Sequence, residues 1–120
     1  HLLIDPIGLS FERYDGFGVY RGEHEGEPID DSGELLGAEV PEGMEAFNGP
    51  VELGALLAES PVAQRCFAQQ WVSFALRRPL VSDDSCFVEA IGARFVRDED
   101  QRISDLIAAI VVDDVFRRRR

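Results

Sequence analysis

The groups able to do chemistry in this chain are two thiols (Cys66 and Cys86), two imidazoles (His1 and His24), and 23 acids set against 12 arginines. Nucleophilic catalysis needs a Ser or Cys within reach of a base that a third group orients. Ser73, Cys66 and Cys86 lie inside or at the start of expected helices, with only His1 and His24 as bases and no nucleophile-elbow pattern. Acids are too numerous for any one pair to stand out as an acid–base couple. The residues therefore do not point to an enzyme.

Two looser patterns also fail on spacing. Gly16-Phe17-Gly18 has the look of a phosphate loop, but no strand precedes it and it opens no helix, so it reads as a turn. Asp30, Ser32 and Glu34 begin with the alternating oxygens of a calcium loop. Gly33 then falls at the wrong position and Pro41 stands where the bidentate acid belongs, leaving a solvated acidic turn.

The 120 residues suit one domain with a modest core, 1–120, containing an acidic hairpin and loop region over 16–49. The net charge of −11 disfavours nucleic acid and an anionic membrane face, since both need a cationic surface. That charge is concentrated: residues 1–60 hold 14 acids against Arg13 and Arg21. No apolar run reaches the roughly 20 residues of a membrane span, so membrane insertion is not expected. The chain opens without methionine, and is expected to be the C-terminal piece of a longer polypeptide whose targeting information lies upstream.

The elements that position these residues are mainly α: four to five helices with a short irregular β-hairpin insertion. Asp5-Pro6 starts a helix, Asp as cap and Pro at the first helical position, running to about Tyr14 with Gly16 as its stop. Val19–Arg21 and Pro28–Ile29 read as strands around a His24-Glu25-Gly26 turn, and 37–49 as a loop. Asn48-Gly49-Pro50 opens a helix whose Val51, Leu53, Leu56 and Leu57 face a core. Ser60-Pro61 opens another, carrying Val62, Ala63, Cys66, Phe67, Gln70, Trp71, Phe74 and Ala75 on its apolar face and ending near Arg78. After a Pro79–Val81 connector, Ser82 caps a helix to about Val96, and Ser104 caps one carrying Leu106, Ile107, Ile110 and Val111.

Phe67, Trp71 and Phe74 at helical spacing read as core rather than as a cofactor pocket. Arg117–Arg120 read as cations complementing a helix C-terminus. Cys66 and Cys86 are either buried thiols or a disulfide. A straight antiparallel pair of helices offsets them too far, whereas an extended connector of roughly 13 Å could bring them level.

The opening resembles the C-terminal domain-of-unknown-function family of multidomain cytochrome-c-like proteins of planctomycete and myxobacterial type. The residues carrying the likeness are His1, Ile4, Asp5, Pro6, Ile7 and Gly8, then Glu12, Tyr14 and Asp15, then Gly18, Tyr20 and Arg21. It continues through Gly26, Pro28, Ile29, Asp30 and Gly33, Phe47-x-Gly49-Pro50, Arg65-Cys66, Ala75-Leu76-x-Arg78, Ser104–Ile107 and Phe116-Arg117. Arg77 departs from the pattern, standing where glycine is usual, and Asp113-Asp114-Val115 replaces a Ser-Asp-Pro stretch.

The resemblance implies that His1 is the last residue of a Cys-x-x-Cys-His haem-attachment motif, and so an axial ligand of haem c in the intact protein. The chain itself lacks the two cysteines and attaches no haem by that motif. Met44 and His24, the conceivable sixth ligands, are not fixed by the family pattern. Asp5, Pro6, Gly8, Glu12, Asp15 and Arg21 would be structural, with Glu12 and Asp15 capping or pairing, Arg21 being a candidate partner. The resemblance further implies export to the periplasm or cell surface, which favours the disulfide. It also implies partnership with upstream domains of the same polypeptide.

Overall fold

The computed structural model describes residues 4–36 and 45–118. His1, Met44, Arg119, Arg120 and most of the expected 37–49 loop lie outside the described residues. Mainly α with short β-hairpin structure is what the chain adopts: six helices and two small antiparallel strand pairs among the described residues. Contacts cluster in two compact units, residues 1–60 and 61–120.

The first unit opens with α1 (Asp5–Leu9), which starts one residue earlier than the cap-and-proline signal implies and stops well short of Tyr14. Ile4 occupies the cap position and Asp5 is the first helical residue, followed by Pro6. The helix tightens because Phe11, Glu12 and Tyr14 each donate a backbone hydrogen bond to the residue three earlier. Buried Ser10 closes the turn by donating its hydroxyl to the Ile7 carbonyl at 2.7 Å.

The hairpin is displaced as well. Strands β1 (Glu23–His24) and β2 (Glu27–Pro28) pair around Glu25 and Gly26, both with positive φ, the geometry of a two-residue hairpin turn. Residues 19–21 instead double back on the end of the first turn, through an antiparallel bridge between Tyr14 and Tyr20. A second pair, β3 (Ser32–Glu34) and β4 (Ala46–Asn48), sets Gly33 opposite Phe47. A Cβ at Gly33 would lie 2.5 Å from the Phe47 ring and 3.1 Å from Pro6 Cβ, so glycine is what lets the ring and α1 approach β3.

Helix α2 (Gly49–Glu59) follows directly, and Glu52 reaches back to accept from the Asn48 backbone N–H at 2.7 Å. Gly49 has φ +75, and a Cβ there would meet the Asp31 carboxylate at 2.8 Å. The unit buries Leu35, Phe47 and Leu53, with Leu56 partly buried against them. Val51, expected to face the core, is 81% exposed, because it falls on the opposite face of the helix from Leu53.

The second unit packs α3 (Pro61–Leu76), α4 (Ser85–Arg97) and α5 (Ile103–Val112), with a final turn α6 (Asp114–Arg117). Its core is Ala68, Val72, Phe87, Ile91, Phe95, Leu106, Ala109 and Ile110. The inward face of α3 is thus rotated from the expected one: Ala68 and Val72 are buried, Cys66 is exposed and Phe74 is 74% exposed. Ser82 opens a short 3-10 turn (Ser82–Asp84) rather than the helix itself, and Asp84 precedes α4. Ser104 lies inside α5 instead of capping it, Arg102 holding the cap position.

Candidate functional site

Glu12, His24, Asp31 and Tyr20 converge on the two arginines of the first unit. Arg21 donates to the Glu12 carboxylate at 3.2 Å and to the Glu12 backbone carbonyl from both Nε and Nη2. Its Nη1 lies 2.9 Å from His24 Nδ1. Guanidinium only donates, so Nδ1 accepts and the imidazole carries its proton on Nε2. His24 is therefore a member of the arginine cluster, with Nδ1 already engaged.

Arg13 makes the second cluster. Its Nε pairs with Asp31 at 2.8 Å, Nη2 donates to the Ile29 carbonyl at 3.1 Å, and Nη1 reaches the Tyr20 hydroxyl at 3.4 Å. The Asp31 hydrogen bond raises the Arg13 pKa further above its ordinary value. The Asp31 carbonyl in turn accepts from Gly49 N–H at 2.9 Å, linking the arginine to the start of α2. Neither Arg13 nor Asp31 stands out in the sequence reading. The signal available is that Arg13 and Arg21 are the two arginines among the 14 acids of residues 1–60, which makes each a natural cross-link.

Asp15 works locally. Its Oδ1 accepts from the Phe17 and Val19 backbone N–H groups at 2.8 and 2.9 Å, and the Val19 bond, then the Phe17 bond, hold its carboxyl below the usual aspartate range. Asp30 does likewise for Ser32, accepting from its hydroxyl at 2.6 Å and its amide at 3.0 Å. The first of these is the main reason that its pKa is lowered. The apparent calcium spacing is thus an aspartate-closed turn. Gly8 sits within α1, its N–H donating to the Ile4 carbonyl.

In the second unit Asp84 is the one buried carboxylate among the described residues. It accepts both Arg78 Nη groups, at 2.6 and 2.8 Å, and the Val81 N–H at 2.9 Å. The bidentate pair fastens the end of α3 to the start of α4, and raises the Arg78 pKa. Ser73 donates to the Arg78 carbonyl, so its hydroxyl serves the helix end and meets no base.

Cys66 and Cys86 are free, exposed thiols. Cys66 lines an open groove of about 340 Å³ between α3 and α4, with Arg65, Glu89 and Gly92. Phe67, Trp71 and Phe74 form a ladder of edge-on rings, and Phe67 also stacks on Phe95 at 5.8 Å.

Among the described residues no three His, Cys, Asp or Glu side chains are grouped to hold a metal ion, and no helix is long and apolar enough to cross a membrane. A family model described as a protein of unknown function (DUF1585) matches residues 43–116, from before β4 through most of α6. No curated protein and no solved structure matches the chain.

Proposed function

The chain belongs to the DUF1585 family of proteins of unknown function, and from the resemblance carried by its opening stretch we propose that it acts as the C-terminal module of an exported, multidomain c-type cytochrome-like protein. In that reading it supports haem binding or electron transfer in the intact polypeptide and has no activity of its own. Its partners are the upstream domains of the same chain, and its location is the periplasm or cell surface.

The observation that supports the reading is the opening: α1 begins at Asp5-Pro6, four positions after His1 in the sequence. The helix buries none of its own residues, and Ile4, Ile7 and Leu9 are exposed. Exposed apolar side chains of that kind suit contact with a porphyrin. His1 would supply one ligand, and two upstream cysteines the thioether bonds. Bound haem would contribute one-electron redox chemistry; the chain's own part is to hold the imidazole and cover the ring from water.

Absorbance of the full natural polypeptide, produced with haem-maturation machinery and denatured in alkaline pyridine, tests this. A covalent c-type haem band is expected, lost on His1→Ala. A full chain with no covalent band overturns the proposal.

A second reading, a non-catalytic packing or interaction module, is favoured by a different observation. Glu12, Asp15, Arg13, Asp31, Arg78 and Asp84 are all engaged in internal pairs that shape the fold. Reading the residues immediately before His1 separates the two: Cys-x-x-Cys supports the first, and its absence the second.

A further inference from the structure

Phe17 is 95% exposed, yet the loop that carries it is closely tied. Tyr14 and Tyr20 bridge its base and their rings meet edge to face at 5.6 Å. Asp15 N–H donates to the Val19 carbonyl, Gly18 N–H donates to the Asp15 carbonyl, and the Asp15 carboxylate takes the Phe17 and Val19 amides. Gly18, at φ +79, makes the reversal that presents the ring. Beside it Val19 and Tyr20 are 60% and 61% exposed.

A large apolar ring held outward by a pinned loop gives up little conformational freedom on binding, which is the condition for an anchor residue. The surroundings select the partner. Residues 1–60 hold 14 acids and two arginines, and both arginines are engaged with groups of their own unit. Arg21 ties the base of the loop to the β1–β2 hairpin, whose Glu23 and Glu27 are exposed. An anionic lipid surface would be repelled by a unit this acidic; a cationic protein surface would be steered to it.

We infer that the Phe17 loop is a docking anchor for a protein whose receiving site is an apolar pocket ringed by arginine or lysine. Phe17 fills the pocket, Val19 and Tyr20 flank it, and the hairpin glutamates meet the cationic rim. The inference goes beyond the haem reading and does not depend on it.

The test uses the full natural polypeptide in its own cell, with benzoylphenylalanine at position 17 as a photo-crosslinking probe and at position 74 as reference. The adduct specific to position 17 is expected to map to an apolar pocket with flanking basic residues. The protein so captured, once purified, should bind about tenfold more weakly to Phe17→Ala and more weakly at high than at low ionic strength. Glu23→Gln combined with Glu27→Gln should slow association several-fold. Since the ring is exposed, Phe17→Ala should keep the wild-type circular dichroism and thermal midpoint, so a binding loss is not unfolding. No protein adduct, adducts only with lipid or with another copy of this chain, salt-independent binding, or full affinity in Phe17→Ala would each overturn the inference.

Discussion

Residues 1–60 and 61–120 solve the problem of stability by different means. Among the described residues the first unit clusters Leu35, Phe47 and Leu53 in its core, with Leu56 at the edge and Ile29 buried outside the cluster, while the second clusters eight buried residues from three helices. What the first unit lacks in apolar burial it makes up in directed polar contacts: Arg13 to Asp31, Arg21 to Glu12, and two aspartate-closed turns. A small, acidic, glycine-rich segment cannot bury much apolar surface, so its scarce cations become cross-links. A helical segment gains its burial from periodicity, and needs polar contacts only where a helix must stop and turn.

The sharpest way to break this contrast is to remove the one large side chain on which the smaller core depends. Phe47 is 1% exposed and packs over Gly33. Phe47→Ala should cost about 3–5 kcal/mol. Amide exchange at Leu35 and Leu53 reports it directly: both should lose protection, and protection retained at both would show that the polar cross-links alone hold the unit.

The second unit has its own concentrated point. Asp84 is buried and takes three hydrogen bonds, two of them from a guanidinium. Asp84→Ala removes the acceptor of the Val81 N–H and the bidentate partner of Arg78, which keeps its bond to the Pro79 carbonyl. The expected loss is on the order of 2–3 kcal/mol in urea unfolding. A loss no larger than that of an exposed alanine substitution would mean that apolar packing alone sets the α3–α4 turn.

The same contrast governs how far the sequence can be read. Periodicity and proline signals locate α2 and α3 within a few residues, because Gly49-Pro50 and Ser60-Pro61 are local features with local consequences. Which face turns inward is not local. The expected face runs through Cys66, Phe67, Gln70 and Phe74, which stay exposed, while Trp71 and Ala75 at its edge pack with Ala68 and Val72, where small alanines allow close helix packing. Arg13 to Asp31 is still less legible: Gly16-Phe17-Gly18 reads as a turn, but nothing local says which of the acids Arg13 meets beyond it. The Ser104 cap fails because Arg102, extended at the helix start, ends the preceding turn two residues earlier. As for the candidate site, the aspartate turns follow from local spacing, and His1 draws its meaning from the resemblance rather than from any contact.

A smaller effect, of opposite sign, is expected where the sequence departs from its family pattern. Arg77 follows the last residue of α3 with φ +55, a left-handed conformation that costs a residue with a Cβ and suits glycine. Its N–H closes the helix onto the Phe74 carbonyl at 3.1 Å, a bond glycine also makes. Arg77→Gly should therefore stabilise the second unit by about 1 kcal/mol, seen as a raised thermal midpoint. A lowered midpoint would show that the arginine side chain holds the turn by more than its backbone.

The smallest effect distinguishes the units by acid. Asp15 and Asp30 both have their carboxyl pKa lowered from 3.8, Asp15 by the Val19 and Phe17 amides and Asp30 by the Ser32 hydroxyl and amide. A carboxyl whose pKa is lower in the folded than in the unfolded chain contributes stability that is fully present above the unfolded value and disappears as pH falls through the folded one. At neutral pH, Asp15→Ala should therefore be less stable than the wild type, and the gap should narrow as pH falls below about 3.8, the ordinary value, and close as pH passes through the lower value of the folded carboxyl. Asp30 is exposed and Asp15 only half-buried, so the difference is small, and it should appear in tyrosine signals from Tyr14 and Tyr20 before it appears in the Trp71 fluorescence of the second unit. A gap that stays constant with pH would mean that Asp15 shapes its loop through its size rather than its charge.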